Sequence, residues 1–309
     1  MRLSRPRAHP RALLDALSRR LAHGPSRGDR SGDRRRALWA AGAAAVVTAL
    51  LVWCLLPAGR TTPSGTLTMT TGVPTGVYAR YGELLRQRVA RDLPDVSMRL
   101  LPSEGSVQNV ARVATGRADL TVAQADVVAE YLDAGRPGSR RLRACARLYD
   151  DYVQLVVPAD SAVHHVRDLR GLRVGVGEAG SGVAVTAARL LTAAGLEPGR
   201  DVTPVARGID DMPRLLVKGK VDAFFWAGGL PTTAVDRLAD RTAVRLVPLG
   251  DLLPELRRQA VSTRYYRSAV MPADAYPSAR NRHAVETIAV PNLLVTTDRA
   301  APELVEGVT

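Results

Sequence analysis

Apolar and polar positions along residues 66–306 switch repeatedly between a short-run pattern and a helical one. LTMTT (67–71) is a brief apolar run that stops at Gly72, and Val77, Tyr81, Leu84, Leu85 and Val89 follow with the spacing of one helix face. VSMRLL (96–101) reads as the next strand. Val107, Val110 and Val113 form a helix stripe closed by Gly116, and ADLTVA (118–123) is again extended. RLRACARLY (141–149) and YVQLVVPA (152–159) read as two extended segments. LRVGVG (172–177) leads into the helix GVAVTAARLLTAAG, which ends at Gly195. DVTPVA, the helix DDMPRLLVKG, the strand VDAFFWA (221–227), a helix from Pro231 and the strand VRLVPL (244–249) continue the series, and AVETIAVPNLLVTT (284–297) returns as a long extended run. Such alternation predicts an α/β fold with parallel sheets covered by helices.

One local design occurs twice. Gly72–Gly76 follows a strand and opens a helix, and Gly175–Gly182 does the same about 100 residues later. Two such units, one in each half, predict two α/β lobes with a cleft between them, where ligands gather at the carboxyl ends of strands. The expected organisation is a basic tail (1–36), an apolar anchor or signal (37–57), a Pro/Gly/Thr/Ser linker (58–65), the first part of lobe 1 (66–158), lobe 2 (159–262) and a return to lobe 1 (263–309).

Charge sharpens the picture of the N-terminus. The chain has 309 residues and a formal net charge of +13, but residues 1–36 hold eleven arginines against three aspartates, a net of +8. The excess is therefore mostly a tail, without the interleaved aromatics of a nucleic-acid surface, and no nucleic-acid partner is expected. Leu38–Leu56 is a run of 19 residues without a charge, with Trp39 and Trp53 near its ends. At about 1.5 Å per residue, a helix of that length approaches the thickness of a bilayer core. The arginines before it place 1–36 in the cytoplasm and the rest outside, so the expected location is the cell membrane, with a single-pass anchor and an extracytoplasmic domain. A cleaved signal is the alternative, giving a secreted or periplasmic domain. Only two cysteines occur, so no disulfide framework is expected. Cys145 reads as a small buried apolar residue.

No set of catalytic residues emerges, and the chain reads as a binder rather than an enzyme. Gly175-x-Gly177-x-x-Gly180 matches a dinucleotide fingerprint. The strand that should end in an acidic residue instead runs into Arg207, and no cofactor is expected. The backbone N–H groups of Gly180, Ser181 and Gly182 at a helix start suit an anion such as a carboxylate, or form only a tight turn. Gly72, Thr75, Gly76 and Tyr78 make the matching loop of the first half, where Tyr78 either bonds a ligand or packs on the neighbouring strand. Ser106 is a ligand contact or an N-cap. Asn109, one turn further on, is harder to explain as a cap. Gln124 ends a strand and can face the cleft, whereas Asp126 reads as a cap for the helix after it. Trp226, before Gly228 and Gly229, is a cleft wall or core. His164-His165 lacks a carboxylate or thiol at ligand spacing, so no metal is expected.

Taken together, the motifs resemble the TAXI family, the solute receptors of one class of TRAP transporters. The likeness covers about residues 66–306 and rests on an ordered series: TGVPTGVYARYG (71–82), EGSVQNVARVATGRADLTVAQAD (104–126), LYDDYVQLVV (148–157), DLRGLRVGVGEAGSG (168–182), LLVKGKVDAFFWAGGLP (215–231) and RYYRSAVMPADAYPS (264–278). The resemblance implies a two-lobed periplasmic-binding-protein type II fold, here preceded by one transmembrane helix. The ligand it implies is a small organic acid or amino acid such as glutamate or a dicarboxylate, and the partner a TRAP permease membrane subunit. Carried over by position, it places the Gly72–Tyr78 loop with Val77, Ser106, Asn109 and Gly180–Gly182 in the cleft. The chain departs from the family pattern at Glu104, where a second glycine is usual, at Glu178, where a proline is common, and at Asp150-Asp151. An added carboxylate near the cleft disfavours an anionic ligand. A membrane-anchored ligand sensor built on the same binding domain is the alternative function.

Overall fold

The computed structural model describes residues 38–49, 63–74 and 76–306. Residues 38–49 form a helix in the N-terminal unit, which ends at Thr61, and the side chain of Thr48 donates back to Ala44 O at 2.8 Å. Among the described residues no helix is long and apolar enough to cross a membrane. The expected 19-residue apolar run continues to Leu56, and its part beyond residue 49 lies outside the described residues.

The second unit, Thr62–Thr309, is built on one ten-stranded mixed sheet. Its first half runs β1 (Gly65–Thr70), α1 (Val77–Asp92), β2 (Val96–Leu101), α2 (Ser106–Ala114), β3 (Leu120–Gln124) and α3 (Ala125–Asp133). Strand β1 pairs in parallel with β2 on one side and β3 on the other. The long β4 (Leu142–Pro158) leads into the second half. There β5 (Arg173–Gly175), α4 (Gly182–Ala193), β6 (Thr203–Val205), α5 (Met212–Val217) and β7 (Ala223–Gly228) repeat the plan, with β5 parallel to β6 and β7. The spatial orders β2-β1-β3 and β6-β5-β7 are therefore the same βαβαβ unit built twice, as the repeated glycine loops predict. Helix α6 (Thr233–Arg241), β8 (Val244–Leu246), α7 (Leu253–Gln259), β9 (Arg267–Met271), β10 (Val285–Thr297) and α8 (Pro302–Glu306) complete the chain.

Strands β4 and β10 join the halves. β10 pairs antiparallel with β4 from Ala289↔Tyr152 to Thr297↔Leu142, with register shifts at Pro291/Leu293 and at Leu294/Val295. Its C-terminal part also pairs with β3, while its N-terminal part pairs with β9. The far part of β4 pairs with β7 and β8. One sequence expectation changes here. The extended segments 141–149 and 152–159 are one 17-residue strand, because Asp150 and Asp151 stay in the ladder instead of breaking it. β9 pairs with the N-terminal part of β10, and Met271 and Tyr276 pack with the second half.

Each lobe has its own apolar packing. In the first, Leu67, Met69, Val89, Leu120 and Val122 lie on one side, and Val110, Val113, Ala123 and Val127 on the other. In the second, Leu155, Val174, Ala187, Leu190 and Phe225 form one cluster, and Met212, Leu216, Phe224, Val235 and Leu246 another. Strands buried on both faces explain the unbroken apolar runs in the sequence.

The lobes meet through a buried ion pair. Arg189 on α4 donates to Asp126 at 2.7 Å, to Glu130 at 2.7 Å and to Ser262 Oγ at 2.9 Å, and the Tyr266 hydroxyl donates to Asp126 at 2.6 Å. Asp126 is thus a partner for Arg189 in the first turn of α3, not the helix cap expected from sequence; Gln124 occupies the cap position. Asp168 likewise accepts the N–H groups of His164 and His165, which fixes that histidine pair as part of a turn.

Gly175, the first glycine of the fingerprint, is a packing glycine. A Cβ there would lie 2.4 Å from Met212 Sδ and 2.7 Å from Phe224 Cβ, so β5 can approach α5 and β7 only without a side chain. Gly175→Ala is expected to destabilise the protein by about 1–3 kcal/mol, the usual cost of forcing atoms into a packed core. Chemical denaturation followed by circular dichroism measures this, and an unchanged midpoint counts against the packing account.

Candidate functional site

The parallel strands of both units direct their carboxyl ends at the space between the lobes, where α/β folds bind ligands. A cavity of about 640 Å³, open mouth included, lies there. The first lobe supplies the loop after β1 (Gly72, Val73, Gly76, Val77, Tyr78), the loop after β2 (Glu104, Gly105, Ser106), the end of β3 (Gln124) and Asp151 from β4. The second lobe supplies the equivalent positions: Gly177, Glu178 and Ser181–Val183 after β5, Gly208 and Ile209 after β6, and Trp226 and Ala227 at the end of β7.

The two helix starts press together across this space. Val107 N–H donates to Gly180 O at 3.1 Å, linking α2 to the loop before α4. A Cβ on Gly105 would lie 3.1 Å from Ser181 Cα, and one on Gly182 would overlap Gln124 Oε1 at 1.9 Å. Glycine at these places is what lets the lobes close to contact.

Polar groups at the cavity floor form a buried chain. The Tyr78 hydroxyl donates to Asn292 Oδ1 at 2.6 Å and lies 3.0 Å from Ser106 Oγ. Ser106 Oγ accepts from Gln124 N at 3.2 Å, and Gln124 Nε2 donates to Asp151 at 3.1 Å. Burial raises the Tyr78 phenol well above its ordinary range, with the charge of Asp151 adding to the effect. Burial also pushes the Asp151 carboxyl up to about 6, against the pull of the Asn292 and Gln124 amides, while Asp126 and Asp150 add like charge. Asn292 Nδ2 is buried and has no hydrogen-bond partner among the described residues. Gln124 Oε1 is buried and has no hydrogen-bond partner among the described residues.

The candidate residues divide. Gly72, Gly76, Val77, Tyr78, Ser106, Gln124, Ser181, Gly182 and Trp226 line the cavity. Thr75 lies outside the described residues. Asn109 does not line the cavity and is fully buried: its Oδ1 accepts from Thr70 Oγ1 at 2.8 Å and Ser103 Oγ at 2.6 Å, and its Nδ2 donates to Thr71 O and Val122 O. Its amide ties the loop after β1 to α2 and β3, which answers why a cap reading failed to explain it. Ser181 is the N-cap of α4, accepting from Ala184 N at 3.1 Å and donating to Glu178 O at 2.7 Å, and its own N–H goes to Glu178 O. That amide is therefore not available to an anion. Gly180 stands beside the cavity under Glu104, and Gly228 lies against the Trp226 ring edge, neither lining it. Trp226 is a wall of the cleft, its indole N–H fixed on Thr232 Oγ1 at 3.0 Å.

Sequence reading marks Glu104, Glu178 and Asp150-Asp151 as departures and expects an added carboxylate near the cleft; Glu104, Glu178 and Asp151 all line the cavity. Asp150 and Asp151 point to opposite faces of β4, as successive strand residues must. Asp150 faces outward onto Arg147 at 2.6 Å and Arg267 at 2.8 Å. Asp151 faces inward onto the Gln124 amide and lines the cavity. Among the described residues no arginine, lysine or histidine lines the cavity.

These features define a two-lobed α/β protein with a periplasmic-binding-protein-like fold and a solvent-reaching cleft between its lobes. The chain belongs to the NMT1-like family, whose model matches residues 69–309. Among solved structures it is similar to a protein of Bordetella bronchiseptica RB50 at 15% identity, covering 79% of this chain and 68% of that one with a TM-score of 0.51. An ancestral arginine-binding protein bound to arginine matches at 16% identity, over 79% and 89% of the two chains with a TM-score of 0.49. The alkanesulfonate-binding protein SsuA from Xanthomonas axonopodis pv. citri, bound to MOPS, matches at 21% identity over 78% and 68% with a TM-score of 0.44.

The raised carboxyl of Asp151 has a defined pH signature. A carboxyl near 3.8 in the unfolded chain and about 6 in the folded one binds more protons when folded. Stability contributed by its neutral form is therefore complete below pH ~4 and is lost as pH rises through ~6. Asp151→Asn keeps an acceptor for Gln124 and removes the titration. Wild type is expected to lose melting temperature relative to Asp151→Asn between pH 4 and 6 and to run parallel to it above pH 7. Parallel curves throughout would mean that Asp151 is not held in this environment.

Proposed function

We propose that this chain is an extracytoplasmic solute-binding receptor that captures a small organic molecule between its lobes and presents it to a membrane permease. The observation that carries this reading is the cavity itself, lined in equal measure by matching loops of two pseudo-equivalent lobes that make direct contact across it. Closing such lobes on a guest is a hinge motion about the strands that join them.

The lining supports binding without turnover. Ser181 Oγ is occupied as a helix cap, and no histidine stands beside it to act as a base among the lining residues. The fingerprint glycines serve packing and turn geometry, which speaks against a dinucleotide. A small organic acid or amino acid is the ligand class that the TAXI resemblance implies, and the same resemblance supports a TRAP-type permease as the partner. Titration calorimetry of the full chain against a panel of small organic acids, amino acids and amines is expected to find at least one solute binding well below millimolar. Absence of any such ligand would count heavily against the receptor reading.

The uncharged run Leu38–Leu56, behind its eleven arginines, supports an anchor that keeps the receptor at the outer face of the cell membrane. Membranes washed with alkaline carbonate are expected to retain the chain, and release into the wash would show that the run does not span.

A further inference from the structure

The charge inside the cleft points to a more particular guest than the receptor reading requires. Glu104 of the first lobe reaches over the loop of the second, its Oε2 only 2.7 Å from where a Cβ on Gly180 would stand. Glu178 of the second lobe lies along Gly208, its Oε1 2.9 Å from a Cβ placed there. Both line the cavity, as does Asp151 at the floor. The two glutamates repel across the mouth: the Glu178 carboxyl is raised first by burial and then by the charge of Glu104, with Asp210 and Asp211 adding to it and Arg207 only opposing in part.

A second observation is independent of these charges. Gln124 is 2% exposed and lines the cavity, yet its Oε1 finds no donor among the described residues, while its Nε2 donates to Asp151. The floor therefore offers an unsatisfied acceptor, and buried acceptors without donors are costly. Three donors at the helix starts and floor are already engaged: Val107 N–H on Gly180 O, Ser181 N–H on Glu178 O and the Tyr78 hydroxyl on Asn292. Arg189 of the interlobe clamp is taken by Asp126 and Glu130. Trp226 contributes an aromatic wall, a surface that attracts organic cations.

We propose that the cleft takes an organic cation: an amine- or ammonium-bearing solute whose positive nitrogen sits among Asp151, Gln124 Oε1 and the two glutamates, with its carbon skeleton against Trp226. This rests on the receptor reading, and reverses the anionic ligand that the family resemblance implies.

The test is calorimetric titration of the full chain at pH 7.5 with putrescine and choline, set against succinate and L-glutamate, in wild type and in Glu104→Gln, Glu178→Gln and the double variant. The expected result is binding of putrescine or choline well below millimolar, no measurable binding of the two anions, and about a tenfold loss for each glutamate removed, the usual worth of a hydrogen bond to a charged group. Binding of succinate or glutamate in place of the amines overturns the cation assignment and leaves the receptor reading standing. Amine binding unchanged in the double variant also overturns it. No binding of any of the four, with a ligand found elsewhere in the wider panel among its organic acids or amino acids, overturns the cation assignment alone; silence across that whole panel removes the receptor reading with it. Circular dichroism of the variants shows whether a loss is a folding defect, and retained wild-type melting assigns it to the site.

Discussion

The antiparallel pairing of β4 with β10 is the constraint on which everything else depends. Each strand belongs to both lobes, so the first lobe's sheet and the second's are parts of one ten-stranded ladder. A stiff pair of strands would fuse the lobes into a rigid slab. The register shift at Pro291/Leu293 prevents that. Proline cannot donate to the ladder, and a bulge bends the strand that carries it. The irregularity falls opposite Asp150, at the place where the strands pass from one lobe to the other, and so puts compliance where a hinge needs it.

The same crossing explains the polar floor of the cleft. Where the strands pass from one lobe to the other they cannot bury only apolar groups, because the neighbouring elements there are loops and helix starts. Tyr78, Ser106, Gln124, Asp151 and Asn292 fill that point with a hydrogen-bonded chain. The contrast with Asp126 is informative. Both carboxylates are buried, but Asp126 is met by Arg189 and Tyr266, whereas Asp151 is met by the Gln124 amide and by no cation. A buried charge is retained at low cost only when it is paired. Asp126 and Arg189 are paired and hold the lobes together. Asp151 is left without a cation and faces the cavity, which is the arrangement expected of a group whose partner arrives from solvent.

Much of this was legible in the sequence, and what was not has a physical reason. The two strand–glycine–helix units were readable because β1 and β5 are buried on both faces and each ends in a loop with no room for side chains. That the loops at Gly72 and Gly175–Gly182 would face one another followed from their equivalence. The single strand 142–158 was hidden by Asp150-Asp151, since paired acids at mid-run read as a turn; the arginines 147 and 267 that neutralise Asp150 are visible only once β4, β9 and β10 are side by side. Asn109 had the composition of a ligand contact and the role of a brace, a distinction set by Thr70, Ser103 and Val122 from three separate segments. Ser181 illustrates the same ambiguity resolved toward capping. The three carboxylates of the cleft were noticeable as departures, but their convergence depends on strand alternation and on lobe closure together.

Closure is where binding and charge become one question. A ligand shifts an open–closed equilibrium only by interacting better with one state than with the other. In the closed form Glu104 lies over the loop that carries Gly180, close enough for its charge to raise the Glu178 carboxyl. Opening separates them and returns both to water, so charge alone favours the open form. The contacts that favour closing are the Val107–Gly180 hydrogen bond, the close approach of Gly105 to Ser181 and the Arg189 clamp. A cation in the cleft changes the balance because it is attracted by all three carboxylates at once, and most strongly when the lobes bring them together. An anion would oppose closure by the same geometry, and a neutral guest would leave the repulsion in place. The acids at 104, 151 and 178 thus make the sign of the ligand's charge the quantity to which the hinge responds.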